Sequence, residues 1–274
     1  DPFPGTPAGG VVVKVKVETL PAEGRIVIDL QDNIDSLPCG LNMTEATVIS
    51  SALTGLFNSI DGTIPKNAGS RRRVSILMRD GAAVGRPRHP TSCSVATSNL
   101  ADRVANATQR AIAELADGCG MAEAGTIIPP ADGVISGIDA RTGRPFVNQI
   151  FLGISGGAAT PRNDGWLTLA HVGNAGMSHQ DSIEMAEAYQ PLIVRKKYLV
   201  TDTEGAGRTR GAPSCYVEFE PTHDSFSIAY VCDGIINAAR GARGGGTGGP
   251  AIARKRLANG DVVDLDACAQ VEVR

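Results

Sequence analysis

The chain has 274 residues, 42% hydrophobic and 20% charged, with a net charge of −3. That is a globular balance, long enough to bury one large core or two smaller ones. Interspersed charge without a basic patch argues against nucleic-acid and membrane-surface partners, and no apolar run approaches the roughly 20 residues of a membrane helix.

The cysteines at 39, 93, 119, 215, 232 and 268 include no close pair. Neither a C-x-x-C metal site nor a dense disulfide scaffold is signalled, so reduced, mostly buried thiols in a cytoplasmic protein are expected. No signal peptide opens the chain. It begins at Asp1 without an initiator methionine, which reads as a processed product, a fragment or an incomplete chain. Glycine is abundant, at 33 residues, and predicts many tight turns or close backbone approaches.

In chain order, "VVVKVKV" (11–17) and "RIVIDL" (25–30) flank "PAEG" and predict a β-hairpin. From Asn42 to Ile60 the period becomes helical, with Ile49, Ala52, Leu53, Leu56, Phe57 and Ile60 on one face and Asn42 with Glu45 as a capping pair. "RVSILM" (73–78) predicts a strand. A second amphipathic helix carries Leu100, Val104, Ala107, Ala111 and Leu115 on its apolar face, with Gly118 and Gly120 beyond its end.

After Cys119 glycine turns separate short segments such as "FVNQIFLGI" (146–154). From Pro191 the chain reads as mainly β, through "LIVRKKYLV", "SCYVEFEP", "FSIAYV", "GPAIARKR" and "CAQVEV". The predicted class is α+β, with two main helices, a third short one and a β-rich C-terminal half. A division into 1–120, α/β, and 121–274, mainly β, follows from the same shift.

Three stretches are able to carry chemistry. "HVGNAGMSHQDSIE" (171–184) gathers His171, Asn174, His179 and Glu184. These are acid/base groups or metal ligands around a pocket, or else Asp181 and Glu184 simply cap a short helix. "GRPRHPTSCSVATSN" (85–99) brings His89 and two arginines to the start of the second helix. Either an anion or carboxylate binds there, or Thr97, Ser98 or Asn99 is an N-cap and nothing more. "GISGGAAT" (153–160) and "RGARGGGTGGP" (240–250) offer a backbone nest beside Arg240 and Arg243, but tight β turns fit them better. Neither matches a nucleotide-binding glycine motif, and no nucleophile elbow or H-E-x-x-H is present.

Several stretches resemble hydantoinase B proteins in both sequence and order. They are "LQDNIDSLPCGLNMTEA", "IPKNAGSRRRV", "ATSNLADRVANATQRAIAEL", "GWLTLAHVGNAGMSHQDSIEMAEAYQPLIV", "DTEGAGRTRGAPSCYVEFEP" and "LANGDVVDLD". This family includes the B-type subunit of N-methylhydantoinases, the matching half of oxoprolinase and subunits of acetone and acetophenone carboxylases. The resemblance runs from about Val11 to the end, and "GAGRxRG" at 205–211 is among its most specific pieces.

It implies an ATP-dependent cyclic-amide hydrolase acting with a hydantoinase A-like subunit that binds ATP, this chain forming one wall of the active site. A ketone carboxylase subunit and a non-catalytic scaffold are the alternatives. Family B-type subunits are about twice this length, and their N-terminal half carries a motif resembling "NDPYxGGTH…HHxDVGG", associated with a divalent metal. This chain matches only the C-terminal half, so the metal is expected on that N-terminal half or on another polypeptide. No cofactor or metal is expected on this chain itself. Residue by residue, His171 and Asn174 match the family's H-x-x-N, and Glu184 matches the glutamate opening the next helix. These are the catalytic candidates. Asn99 and Arg103 match the polar start of the second helix and join His89 as substrate-binding candidates; Asn67 and Gly69 match "NAGS". His179 departs from the commoner family pattern.

Overall fold

A computed structural model describes residues 1–94, 99–125, 128–153, 156–167, 169, 172–174, 180, 182–223 and 225–274, with Asn174 described in its backbone only. The N-terminal hairpin forms where the alternation places it. β1 (Lys16–Leu20) and β2 (Arg25–Asp29) are antiparallel, with Lys16 opposite Asp29 and Leu20 opposite Arg25. The preceding valines lie outside β1, where the Lys14 N–H donates to Asn33 Oδ1 at 2.9 Å. After the helix α1 (Glu45–Ser59), β3 (Val74–Leu77) joins β2 in parallel, giving the order β1-β2-β3.

The cap of α1 is Thr44 rather than Asn42: Thr44 Oγ1 accepts from the Thr47 N–H at 3.3 Å. Asn42 is fully buried and its side chain is consumed elsewhere. Its Oδ1 accepts from the Leu37 N–H (2.7 Å), and its Nδ2 donates to the carbonyls of Leu37, Cys39 and Ser92 at 3.0, 2.8 and 2.9 Å. The short helix α2 (Ala68–Arg71) is capped by Asn67, whose Oδ1 accepts from the Gly69 and Ser70 N–H groups, so part of the "NAGS" motif is a helix start.

Helix α3 (Leu100–Leu115) packs on α1. The helices meet so closely that a Cβ on Gly55 would stand 2.5 Å from the Ala105 carbonyl oxygen. The buried face of α3 is rotated from the predicted one. Ala101, Ala105, Thr108, Ile112 and Ala113 are buried with Leu100 and Val104, whereas Ala107 and Ala111 are half-buried and Leu115 is exposed. The rotation arises because α3 is covered on two sides, by α1 and by the loops that follow it. The first core therefore includes Ile28, Leu30, Met43, Val48, Leu56, Val84, Val104 and Ile112.

The second half is antiparallel. β4 (Val134–Asp139), β5 (Arg144–Gln149), β8 (Phe226–Val231) and β11 (Cys268–Val273) form a sheet in the order β11-β8-β4-β5. A ribbon of β6 (Leu192–Val200) and β7 (Ser214–Pro221) packs against it, and the helix α4 (Ile183–Tyr189) buries Ala186 in the same core as Ile135, Leu152, Leu192, Phe226 and Ile228. β9 (Arg254–Arg256) and β10 (Val262–Asp264) form a small hairpin, so the predicted strand over "GPAIARKR" is only its last part. The fold is α+β. Among the described residues no helix is long and apolar enough to cross a membrane. All six cysteines are free, but only Cys232 is buried; the others are half-buried, contrary to the expected mostly buried set.

The glycine-rich stretch 240–250 does not form turns between paired strands. It lies against 203–206, with the Gly246 N–H donating to the Ala206 carbonyl (2.7 Å) and the Gly249 N–H to the Thr203 carbonyl (2.7 Å). Contact there is backbone on backbone: a Cβ on Gly205 would stand 2.5 Å from the Gly246 carbonyl oxygen. The flanking arginines serve this packing. Arg240 grips Glu123 at 2.9 Å, and Arg243 pairs with Asp117 at 3.5 Å.

Candidate active site

The α3 helix has a second, polar face that is also buried. Asn99, Asp102, Asn106 and Gln109 follow one another at helical spacing and are each 2% exposed or less. Each of these last three reaches a different segment. Asn106 Oδ1 accepts from the Ala124 N–H (2.8 Å), and Gln109 Oε1 accepts from Asn58 Nδ2 (3.0 Å). Asp102 Oδ2 accepts from the Val172 N–H and its Oδ1 from the Gly173 N–H, both at 3.1 Å. A carboxylate in the first turn of a helix thus holds the short 3-10 turn Val172–Asn174, the core of the H-x-x-N stretch.

Arg103, one residue on, is also internal. Its Nη2 donates to the Gly125 carbonyl at 3.0 Å, and its Nε lies 3.3 Å from Asp233 Oδ2. That Nε is turned out of line for a hydrogen bond, so the attraction is ionic. Asp233 is itself buried and accepts from the backbone nitrogen of Asp1 (3.0 Å) and the Gly234 N–H (2.9 Å). The guanidinium therefore joins three segments beside the Asp102 turn. Asn99 occupies the N-cap position of α3 without the expected capping bond, because its backbone (φ −121°, ψ −79°) is not the extended form that aims a cap side chain at the helix N–H groups. Its Nδ2 is buried and has no hydrogen-bond partner among the described residues.

The structure thus brings Asn99, Arg103 and the backbone of Asn174 to one end of α3. His171 and His179 lie outside the described residues, as does Asp181. His89 is exposed on the loop after β3, and Glu184 is exposed on the first turn of α4. Among the described residues, no hydrogen bond or ion pair links either one to the α3 cluster. The cap of α4 is Ser182, whose Oγ accepts from the Met185 N–H at 3.2 Å; the predicted Asp181–Glu184 pair began one residue too early.

Arg141 fixes the other end of α4. It donates to the carbonyls of Glu187, Ala188 and Tyr189 at 3.3, 3.0 and 3.1 Å and binds the Asp139 carboxylate with two nitrogens. Those side-chain hydrogen bonds hold the Asp139 carboxyl below its ordinary value. A depressed folded value contributes stability above the ordinary carboxyl range, and that stability is lost as pH falls through the folded value. Asp139→Asn is therefore expected to lower Tm at neutral pH. The gap to the unaltered protein should close as acid protonates the carboxylate. A gap independent of pH, followed by thermal melts across the acid range, would count against this pairing.

A cleft of about 1220 Å³ opens elsewhere, between β7, the glycine loops and the β9–β10 hairpin, with Glu123, Glu204, Arg240, Cys215 and Phe219 on its walls. Burial pushes the Cys215 thiol above its ordinary value, which keeps it protonated at neutral pH and a weak nucleophile. Among the described residues, neither Asn99, Asp102, Arg103 nor Glu184 lines this cleft.

The family model for hydantoinase B/oxoprolinase proteins matches residues 5–274. The chain belongs to the hydantoinase B/oxoprolinase family. It is 25% identical over 239 residues to the caprolactamase subunit beta of Pseudomonas jessenii, a match covering 86% of this chain and 40% of that protein. Its fold is that of the ATP-dependent caprolactamase from Pseudomonas jessenii, with a TM-score of 0.79 at 21% identity, covering 97% of this chain and 46% of the other. It is also that of an acetone carboxylase in its nucleotide-free form, with a TM-score of 0.73 at 14% identity, covering 88% of this chain and 32% of the other. This hydantoinase B-type chain therefore spans less than half the length of the relatives it matches. Asp102 and Asn106 were not singled out from the sequence. Their signal was available in "NLADRVANATQR", where amides stand at helical spacing on a face that solvent would fill with Lys and Glu.

Proposed function

We propose that this chain is part of an ATP-dependent complex that opens a cyclic amide, with the 171–174 segment and the N-terminal end of α3 forming one wall of the active site. The observation that carries this reading is the sequence relationship to the caprolactamase subunit beta across 86% of the chain. A lactam is a poor electrophile because nitrogen shares its lone pair with the carbonyl. Transfer of the ATP γ-phosphoryl to the amide oxygen, on a hydantoinase A-like partner, makes the carbon attackable by water. Ring opening then breaks the C–N bond and must deliver a proton to the departing nitrogen. Loss of the amine leaves an acyl phosphate, which a second water cleaves to carboxylate and phosphate, so the sum converts lactam, ATP and two waters to amino acid, ADP and phosphate.

Within this reading His171 supplies the acid/base group, Asn174 and Glu184 accompany it, and Asn99, Arg103 and His89 meet the polar substrate. Among the described residues no three His, Cys, Asp or Glu side chains converge to hold a metal ion. The divalent metal that the family resemblance implies is assigned in this reading to the N-terminal half of the B-type subunit or to another polypeptide. The same reading places the complex in the cytoplasm.

The test is to supply the assembled complex with ATP and a panel of hydantoins, lactams and 5-oxoproline, and to follow ADP together with ring-opened product. Release of both in step is expected. The fold shared with acetone carboxylase favours a second reading, a ketone carboxylase, in which ADP release requires a ketone and bicarbonate together. Silence with every cyclic amide would overturn the hydrolase reading.

A further inference from the structure

We propose that Asp102 is a positioning residue for the reaction: its carboxylate sets the geometry of the H-x-x-N segment by holding the peptide groups that follow His171. The inference rests on the functional reading above, and its structural half stands on geometry alone. The Val172 N–H, accepted by Asp102 Oδ2 at 3.1 Å, belongs to the peptide bond joining Val172 to His171. The Gly173 N–H, accepted by Oδ1 at 3.1 Å, belongs to the next. One carboxylate thereby holds the N–H groups of two successive peptides, Val172 and Gly173.

The carboxylate is itself rigidly mounted. Asp102 is 1% exposed and sits in the first turn of α3, a helix anchored by Leu100, Val104 and Ile112 in the first core. Val172 is buried as well, in a small cluster with Ala105, Ala124, Ala158 and Leu169 on the same flank of the helix. Apolar packing thus brings the turn to α3, and the two charge-assisted hydrogen bonds fix its orientation. A buried carboxylate is costly to maintain unless it is well paired. An apolar residue with a few hydrogen-bonding neighbours would serve packing alone. A group that acts on a reacting atom through such a support loses rate steeply when the support loosens, on the order of a hundredfold for a displacement of about 1 Å.

The test uses Asp102→Asn in the assembled complex. An amide offers one acceptor and one donor, so it satisfies one of the two N–H groups and opposes the other with an N–H of its own. Amide-resolved hydrogen exchange at Val172 and Gly173 is expected to quicken at least roughly tenfold. With ε-caprolactam as the probe, kcat for ADP release is expected to fall about 10–100-fold while KM stays within about threefold. If Asp102→Asn does not assemble, Asp102→Glu keeps the charge and displaces it by one methylene, and it must show the same pattern. Quickened exchange with unchanged kcat overturns the proposal, as does unchanged exchange. A loss confined to KM assigns Asp102 to substrate binding and overturns it too. An unaltered complex that is silent on every cyclic amide sinks the functional reading and the catalytic half of this proposal together. The exchange measurement still decides whether Asp102 holds the turn.

Discussion

Replacing His171 by alanine in the assembled complex is expected to lower lactam-dependent ADP release about 10²–10⁴-fold, the usual worth of a positioned acid/base group. The complex should remain assembled. The expectation follows from the chemistry of ring opening, in which the nitrogen leaves as an amine only if a proton reaches it. An imidazole is the side chain whose ordinary pKa allows it to give and regain a proton near neutrality. Because His171 precedes the turn held by Asp102, its loss should affect kcat more than KM. Glu184→Ala is the companion measurement, since Glu184 is exposed on α4 rather than built into the α3 cluster. Normal turnover in both variants, with assembly intact, would make the chain a scaffold.

The largest expected loss of stability is at Asn42, just before α1. Asn42→Ala removes a fully buried side chain that bonds the backbones of Leu37, Cys39 and Ser92. The methyl group left behind satisfies none of them. Each stranded buried group costs on the order of 1–3 kcal/mol, less where water can enter. A total near 3 kcal/mol is therefore expected, which for a domain of this size lowers Tm by roughly 6–12 °C. Asn42→Asp should be no better, because it keeps the acceptor but replaces the donors with a buried charge. A loss below about 1 kcal/mol in denaturant melts would show that the loop closes without this staple.

Asn42 also shows where the sequence was readable and where it was not. The helix after it was legible from its apolar period, but the capping role went to Thr44, because nothing local reveals that the amide of Asn42 is used by a carbonyl fifty residues away. The strands β6, β7, β8 and β11 were legible for a related reason: alternation is a local property that survives whatever the sheet pairs with. The order β11-β8-β4-β5 was not, since pairing of β4 with β8 depends on contacts some ninety residues apart. At the site, the H-x-x-N stretch and the polar start of α3 were visible as separate motifs. What joins them, Asp102 reaching Val172 and Gly173, was hidden because an acidic residue in the first turn of a helix has a sufficient local explanation.

The backbone packing of the glycine loops bears on how sequence identity among such chains should be interpreted. Gly205 faces the Gly246 carbonyl, and Gly157 and Gly165 face the backbones of Trp166 and Ala212, with no room for a methyl group in any of the three. Selection would keep these glycines in every functional copy whatever reaction the complex performs. Invariance of Gly205, which opens "GAGRxRG", would then record a steric requirement of the scaffold. It would carry no information about substrate, and related enzymes with different chemistry would share it equally. Divergence in function should be sought instead among residues whose side chains have space to change.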